Sequence, residues 1–294
     1  MGHSVLKTER GIALIAAVFL IVVFGFLGIA VVSLVGTQGF SAMNEVKSDQ
    51  AFFVAEGGTE FSQRFLAQNL QWYRSTVDPI LIPATNLGAG SFNVSVNLPA
   101  TMLRTRIPDD TSTAPIRVYT TNRFPASGFL QIEEDLDTGD AEFVFYSGIA
   151  GNTFTGISRG QTVGGVSNAA SPHERGHRVY PVTTLTVALA NSCAAPASFT
   201  VAAHPKFLGA GTVDIEGEEI SYTGSTIAGG AMTLTGVTRC QNGTAAAHNN
   251  GRPVTPLLAE GTLPDLEAEI ISTGTVSLAA VGNAARSVRK TVQR

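Results

Sequence analysis

The sequence predicts an α+β protein in which one long N-terminal helix is followed by a β-rich head containing two repeated β-modules. Two observations carry this prediction. The first is a run without any charged residue between residues 11 and 44, which continues into a segment with apolar residues at helical spacing. The second is a change after residue 72 to segments of period two, among which one long pattern occurs twice.

The first element is an apolar helix over residues 12–36, which is long enough to cross a membrane. At about 1.5 Å per residue its apolar part spans roughly 36 Å, whereas a bilayer core is about 30 Å thick. Lys7 and Arg10 precede it, so we expect a cytoplasmic N-terminus and an exported head. A cleaved secretory signal peptide is disfavoured, because the run is too long and no A-x-A-like site follows it. A plain signal anchor stays open as an alternative.

The N-terminal helix is expected to continue to residue 75, giving a helix over residues 12–75. Its second half is amphipathic, and we expect the apolar stripe to carry the head. The stripe consists of residues at helical spacing, namely Val46, Phe53, Phe61, Phe65, Leu66, Leu70 and Tyr73.

Alternation of apolar and polar residues predicts the strands of the head. Residues 90–98 and 183–189 alternate cleanly, and two candidate strands near the C-terminus are joined by a turn at Gly282-Asn283. Long insertions separate these strands, so the sheet that they form must be interrupted. The head is thus divided into a first part at 76–120, a linking strand at 184–199 and a C-terminal hairpin at 258–294.

The insertions are two copies of one pattern, assigned to residues 121–183 and 200–257. Matching residues occur in the same order in both copies, which predicts a duplicated β-module. They include Glu142 with Glu218, Tyr146 with Tyr222, Arg159 with Arg239, and His173 with His248. We expect the histidine and the arginine of each copy to hydrogen-bond loop backbone and fix a turn. The copies also resemble segments of phage tail and surface proteins, a resemblance that implies no activity.

The first copy contains the H-E-x-x-H spacing of zinc proteases at His173, Glu174 and His177. That motif needs a helix, on which residues four apart share a face and both imidazoles reach one Zn²⁺. Here a proline precedes the first histidine and a glycine interrupts the motif, so a helix is disfavoured. In the second copy Asn249 and Arg252 stand at the positions of the glutamate and the second histidine. We therefore predict no metal site and no cofactor.

Two further residue sets have structural explanations. Asp135, Asp137 and Asp140 lie in an acidic stretch that departs from a Ca²⁺ loop, and a solvated hairpin loop explains it better. Cys193 and Cys240 are the two cysteines of an exported head, which predicts a disulfide worth roughly 4 kcal/mol by the chain-entropy model. No nucleophile motif and no basic stripe interleaved with aromatic residues occurs, so the sequence favours neither an enzyme nor a nucleic-acid partner.

Two stretches of the N-terminal helix resemble type IV minor pilins of the PilX type and of the MshP type, which serve mannose-sensitive haemagglutinin pilus biogenesis. They are RGIALIAAVFL at residues 10–20 and AFFVAEGGTEF at residues 51–61. The resemblance implies that residues 1–11 are a prepilin leader. A prepilin peptidase would cut between Gly11 and Ile12 and methylate the new N-terminus.

The same resemblance implies the partners and the location of the protein. The helix would pack against other pilin subunits, and an inner-membrane assembly platform would act with the peptidase. The chain would cross the inner membrane once with its head in the periplasm, and would lie in a pilus at the cell surface after assembly. Ala16 stands where most major pilins have a glutamate that pairs with a neighbouring N-terminus. This departure favours a tip or initiating subunit, with the inserted copies as an adhesive surface.

Two other classes compete with a pilus subunit. A minor pseudopilin of type II secretion shares the helix and the processing, but it pushes exoproteins instead of attaching cells. A surface enzyme anchored by its N-terminus, with the zinc motif as its site, is the other. Gly25 and Gly28 also keep two explanations, either close packing of membrane helices or, as the pilin resemblance implies, unwinding on entry into a filament.

Overall fold

The computed structural model describes residues 6–69, 72–108, 112–132, 141–167, 169–194, 196–243, 245–257, 268–278 and 282–292, with side chains from residue 14 onward except at 278 and 282. Within these residues one long helix, a short 3-10 helix and eighteen strands are formed. The protein is therefore α+β, with a long apolar N-terminal helix followed by a β-rich head.

Helix α1 (Leu6–Gln68) is continuous over 63 residues. From residue 14 to residue 46 its side chains are almost all exposed, and their apolar composition makes the helix a candidate single-pass membrane anchor. No atom of the head lies within 4 Å of a Cβ added at Gly25 or Gly28. The helix runs through both glycines without a break.

The helix ends earlier than the sequence predicts, at Gln68 instead of residue 75. The side chain of Asn69 donates Nδ2 to the carbonyl of Phe65 at 2.8 Å, and its amide donates to the same carbonyl at 3.0 Å. A side chain that binds the last turn in this way competes with helix continuation. A 3-10 helix at Trp72–Arg74 then places Trp72 in the core of the head, where it is buried.

The face of α1 that packs on the head is lined mainly by small residues, which corrects part of the predicted stripe. Val46, Phe53, Phe61 and Phe65 are exposed, whereas the buried residues of this part are Ala51, Val54, Ala55, Gly58, Thr59, Ser62 and Leu66. A Cβ at Gly58 would lie 2.2 Å from Ser272 Oγ, and one at Gly274 would lie 2.2 Å from the carbonyl of Ala51, so the helix and the sheet approach closely at these two glycines. Of the predicted stripe, Leu66 is buried, the Phe61 ring lies 5.6 Å from that of buried Phe92, and Leu70 lies outside the described residues.

The eighteen strands of the described residues are mostly short. They are β1 (Ile80–Leu87), β2 (Gly90–Asn97), β3 (Thr101–Met102), β4 (Ile116–Arg117), β5 (Gly128–Ile132), β6 (Glu142–Ile149), β7 (Thr153–Ser158), β8 (Thr162–Val163), β9 (Val166–Ser167), β10 (Arg178–Thr184), β11 (Ser198–Ala202), β12 (Gly211–Ile215), β13 (Glu218–Tyr222), β14 (Gly224–Ala228), β15 (Ala231–Thr235), β16 (Pro253–Pro256), β17 (Ala268–Leu278) and β18 (Gly282–Val292).

A four-stranded antiparallel sheet, in the order β1, β2, β17, β18, packs against α1. The pairing of β2 with β17 joins residues from both ends of the head, so the sheet is interrupted in sequence, as expected. Leu278 lies opposite Gly282, so Gly282 and Asn283 belong to β18 rather than to the predicted turn. Residues 279–281, which connect the two strands in sequence, lie outside the described residues.

A nine-stranded sheet makes up most of the remaining head. Its order is β13, β12, β16, β10, β5, β6, β7, β4, with β3 paired to β10. Strands β11, β15 and β14 form a separate three-stranded sheet, and β8 and β9 form a hairpin. Buried apolar residues gather in three main clusters, one under α1 and one on each of the two sheet regions around β6 and β13.

The predicted strand at residues 183–189 does not form as one strand. Thr183 and Thr184 end β10, and Leu185 makes only an isolated bridge with Val201. The amide of Leu185 donates to the carbonyl of Arg252, whereas the next amide, that of Thr186, donates to a residue of β11. Because the amides of Leu185 and Thr186 bond to different segments, the hydrogen-bond ladder of β10 does not continue beyond Thr184.

Candidate functional site

Glu142 on β6 is a fully buried carboxylate at the centre of a polar cluster. Arg159 donates Nε to Oε1 and Nη2 to Oε2, each at 2.5 Å. His173 Nε2 lies 2.8 Å from Oε2, and the amide of Gly160 donates to Oε1 at 3.0 Å. Glu142, Arg159 and His173 are hereafter the Glu142 cluster. The sequence singled out all three but did not predict that they touch one another.

Glu218 on β13 occupies the centre of a second cluster with the same composition. Arg239 donates Nε to Oε1 at 2.8 Å and Nη2 to Oε2 at 2.7 Å. His248 Nε2 lies 2.8 Å from Oε2, and the amide of Ala246 donates to that oxygen at 3.2 Å. Glu218, Arg239 and His248 are hereafter the Glu218 cluster. It has one addition, because His248 Nδ1 also lies 2.9 Å from Glu216 Oε2.

Both arginines tie their carboxylate to loop backbone. Arg159 Nη2 donates to the carbonyl of Ser171 at 2.5 Å. Arg239 donates Nη1 to the carbonyl of Ala190 at 2.6 Å and Nη2 to that of Ala246 at 2.7 Å. The loops that approach each sheet are therefore fixed through a single carboxylate.

The two carboxylates share one electrostatic state. Burial alone would raise the pKa of Glu142, but hydrogen bonds from His173 and Arg159 outweigh it and lower that pKa to about 2. Burial would likewise raise the pKa of Glu218, and Arg239 and His248 lower it to about 2. Both carboxylates are thus ionised and fully occupied by donors. Groups held in this way secure loops and are poor proton acceptors in catalysis.

The predicted tyrosines lie beside the clusters and bind backbone. Tyr146 donates its hydroxyl to the carbonyl of Pro125 at 2.8 Å, and Tyr222 donates to that of Leu208 at 3.1 Å. Burial raises the pKa of Tyr146, so its hydroxyl stays protonated as a donor. Each tyrosine closes the loop that precedes the first strand of its sheet region.

The H-E-x-x-H residues do not form a zinc-protease arrangement. His173 makes an isolated β-bridge with Ile107 instead of lying on a helix, and its Nε2 is bound to Glu142. His177 Nδ1 accepts the backbone amide of Glu174 at 3.1 Å, and the Glu174 side chain pairs with exposed Arg106 at 2.8 Å. Among the described residues no group of three or more His, Cys, Asp or Glu side chains is placed to hold a metal.

Two other sequence hypotheses fall partly outside the described residues. Asp135, Asp137 and Asp140, which were weighed as Ca²⁺ ligands, lie in the undescribed stretch 133–140. Gly11 and Ile12 lie within the bounds of α1, before the part in which side chains are described.

Cys193 and Cys240 form a disulfide with a Cα–Cα distance of 5.6 Å. Cys240 directly follows Arg239, and Cys193 lies three residues after Ala190, the carbonyl of which that arginine binds. The covalent bond and the Glu218 cluster therefore hold the same two loops together.

A third buried charge cluster was missed from the sequence. Asp78, just before β1, contacts Lys206 Nζ, and Arg123 Nε lies 3.2 Å from the same carboxylate oxygen. Arg123 also donates Nη2 to the carbonyls of Leu98 at 2.8 Å and of Lys206 at 3.0 Å. Burial lowers the pKa of Lys206 to about 8. Asp78, Arg123 and Lys206 are hereafter the Asp78 junction.

A sequence signal for the Asp78 junction existed but lay outside the compared segments. Arg123 precedes Phe124, and Lys206 precedes Phe207, at the same distance before the first strand of each sheet region. Arg123 and Lys206 are therefore placed alike relative to the two sheet regions.

Comparison of the chain with protein-family models, with curated proteins and with solved structures finds no match.

Proposed function

We propose that this chain is a minor pilin that joins a type IV pilus of the PilX or MshP kind through its N-terminal helix. The observation that carries the proposal is the difference in exposure and packing between the two halves of α1. Its first half is apolar and exposed on all sides, and its second half packs on the head through small residues. A helix of this kind anchors a subunit in a membrane and then packs among similar helices.

Exposed phenylalanines on the second half of α1 support packing against other pilin subunits. Phe40, Phe52, Phe53, Phe61 and Phe65 have accessible fractions between 36% and 64%. At about 100° per residue they are spread around the helix instead of lying on one side, and large exposed apolar side chains mark an interaction site. Like helices that pack in a non-closing arrangement generate a filament. Ala16, in place of a glutamate, favours a position at the tip or at initiation.

The proposal extends to a duplicated head module with wider bounds than those predicted from the sequence, namely residues 101–182 (unit 1) and 183–256 (unit 2). Corresponding pairs support it. Ile132 lies opposite Glu142, and Ile215 lies opposite Glu218. The remaining matched bridges are Leu103 with Val118 and Leu185 with Val201, and Ile107 with His173 and Leu189 with His248.

The route to the filament includes processing by a prepilin peptidase and delivery by an inner-membrane assembly platform. The head is exported to the periplasm before assembly and lies at the cell surface afterwards. The chain itself catalyses no step of this function.

The experiment that tests the proposal is intact-mass measurement and N-terminal sequencing of the protein from membranes of cells with and without prepilin peptidase. We expect a peptidase-dependent mature chain that begins at methylated Ile12. A Gly11→Leu variant, which replaces the residue before the cut with another apolar residue, is the matched control. It should not be cut and should stay full length. A wild-type chain that keeps residues 1–11 in both strains would reject the proposal in favour of a plain anchor.

A second measurement separates a pilus subunit from a secretion pseudopilin. Deleting the gene and restoring it should change the number of surface pili and leave exoprotein secretion unaltered. Lost secretion with normal pili would assign the processed chain to a type II secretion filament instead.

A further inference from the structure

Arginines of unit 1, together with Arg74 upstream of it, converge on Tyr119 from distant parts of the chain. Arg175 donates Nη2 to the Tyr119 hydroxyl at 3.4 Å, and Arg104 Cζ lies 5.8 Å from the centre of its ring. The hydrogen bond from Arg175 lowers the pKa of Tyr119, and the charges of Arg74 and Arg104 act in the same direction. The phenol of Tyr119 and the guanidinium groups of three arginines thus share one surface.

Two further arginines extend this surface. The amide of Arg104 donates to the carbonyl of Arg117 at 2.8 Å, so the two exposed side chains belong to neighbouring segments. Arg178 lies opposite Met102, the carbonyl of which accepts the amide of Tyr119 at 3.0 Å. The arginine face is hereafter the set Arg74, Arg104, Arg117, Arg175 and Arg178.

The arginine face has few acidic neighbours among the described residues. Arg106 beside it pairs with Glu174, and none of the five arginines of the face itself makes an ion pair there. Like charges on neighbouring segments cost stability. The chain as a whole has a net charge of -4, so this concentration of positive charge is local and opposes the average.

Unit 2 shows that the module folds without these arginines. The amide of Thr186 donates to the carbonyl of Thr200 at 3.0 Å, in the position of Arg104 and Arg117. Counting from the matched histidines His173 and His248, Asn250 stands at the position of Arg175 and Pro253 at that of Arg178. The two units therefore share their buried clusters and differ in surface charge. A feature that costs stability and that the fold does not require is best explained by a ligand.

We propose that the arginine face binds an anionic polysaccharide through its sulfate or carboxylate groups. Guanidinium groups bind such oxyanions in bidentate fashion, which suits a cluster of arginines better than one of lysines. Single-stranded nucleic acid would need free aromatic faces for base stacking. Here Arg104 covers the ring of Tyr119 and Arg74 lies 5.6 Å from the ring centre of Tyr73. The aromatic rings therefore position cations rather than stack on bases.

The inference rests on the proposed function only for the exposure of the head outside the cell. Binding in solution does not require a filament. A failed processing test would leave the binding experiment interpretable, and a failed binding test would leave the minor-pilin proposal intact.

The test measures binding of the full chain, kept in neutral detergent, to heparin as the sulfated probe and to alginate as the carboxylated probe. Neutral dextran and a single-stranded DNA oligonucleotide are measured in parallel at the same salt concentrations. We expect binding to one or both anionic polysaccharides that weakens as salt rises, and none to dextran. An Arg104→Gln/Arg117→Gln variant should bind at least about tenfold more weakly, since each contact is charge-assisted and salt-dependent.

Two matched variants keep the experiment decisive. Arg64→Gln/Arg286→Gln removes the same charge from exposed positions elsewhere and should leave the affinity unchanged. Thr186→Arg/Thr200→Arg places two arginines at the positions of unit 2 that correspond to Arg104 and Arg117, and it should strengthen binding. Circular dichroism and thermal unfolding check that each variant is folded.

Three outcomes would overturn the inference. One is the absence of binding to both anionic polysaccharides at physiological salt. Another is an equal loss of affinity in the two arginine-to-glutamine variants, which would indicate only an effect of net charge. The third is tighter binding to the single-stranded DNA than to either polysaccharide, which would assign the face to nucleic acid.

Discussion

The Glu142 cluster and the Glu218 cluster both hold loops through a buried carboxylate, but they differ in the additional bonds around them. In both, a buried glutamate opposite an isoleucine receives an arginine, a histidine and a backbone amide. Around Glu218 the loops are also joined by the Cys193–Cys240 disulfide, and His248 has a second acidic partner in Glu216. At the position of Cys240 the first cluster has Gly160, which shares a positive φ. The bonds that both clusters share thus hold the two regions in the same way, and the disulfide and Glu216 are additions around Glu218 alone.

The largest effect is expected from removing one buried carboxylate charge. Glu142→Gln should lower the free energy of unfolding by about 3–5 kcal/mol, because Arg159 and His173 are left buried without their partner. Glu218→Gln should lower the free energy of unfolding by a similar amount, but the Cys193–Cys240 disulfide should limit how far the opening spreads. Denaturant unfolding gives the energies, and hydrogen exchange shows how far the opening spreads. Glu219→Gln, at the half-buried neighbour of Glu218, is the control and should change little. Equal spread of exchange in both variants would contradict the role given to the disulfide.

Removing the disulfide should make the two regions more alike. A Cys193→Ser/Cys240→Ser variant is expected to lose roughly 4 kcal/mol, since a loop of 47 residues is no longer closed in the unfolded chain. Hydrogen exchange should rise at residues 190–193 and 239–243 and stay unchanged around Arg159. Unaltered thermal unfolding after reduction would show that the Glu218 cluster alone secures these loops.

Acid should weaken both clusters in the same pH range. Each glutamate has its pKa lowered in the folded state from 4.5 to about 2, so its contribution is complete above pH 4.5 and is lost as the pH falls towards 2. By linkage the loss is at most about 3 kcal/mol for each group. Unfolding measured between pH 6 and pH 3 should show this slope, and Glu142→Gln should remove about half of it. A variant with the wild-type slope would mean that Glu142 does not titrate as described.

The smallest expected effect distinguishes the two tyrosines. Tyr146→Phe removes the donor to the Pro125 carbonyl and should cost about 1–2 kcal/mol. Tyr222→Phe should cost less, because the Leu208 carbonyl keeps a hydrogen bond from Ser225 Oγ at 3.2 Å. Thermal unfolding of the two variants measures the difference. A larger loss for Tyr222→Phe would show that Ser225 does not compensate.

The sequence predicted features that repeat or that follow a simple period. The apolar run of α1, the alternation in β2 and the two histidines with their arginines were all visible as patterns. The packing face of α1 was predicted only in part. Leu66 is buried as expected, but the helical period fitted both the phenylalanines and the small residues, and only the close approach at Gly58 and Gly274 selects the latter.

Several features that the sequence did not predict join residues far apart in the chain. Asp78 meets Lys206, and Arg74 reaches the surroundings of Tyr119 beside Arg175. No local period or spacing relates such positions, since the folded sheets alone bring them together. The absence of a basic stripe in the sequence therefore did not exclude a basic surface in the fold.

The pairing of β2 with β17 has a consequence for the order in which the head folds. Synthesis proceeds from the N-terminus, so β1 and β2 are made long before their partner strands. The helix-packed sheet is completed only when β17 and β18 follow, after both inserted sheet regions. Pairing across so long an interval is slow and leaves strand edges open in the meantime. A chain truncated before β17 thus never acquires a finished sheet against α1.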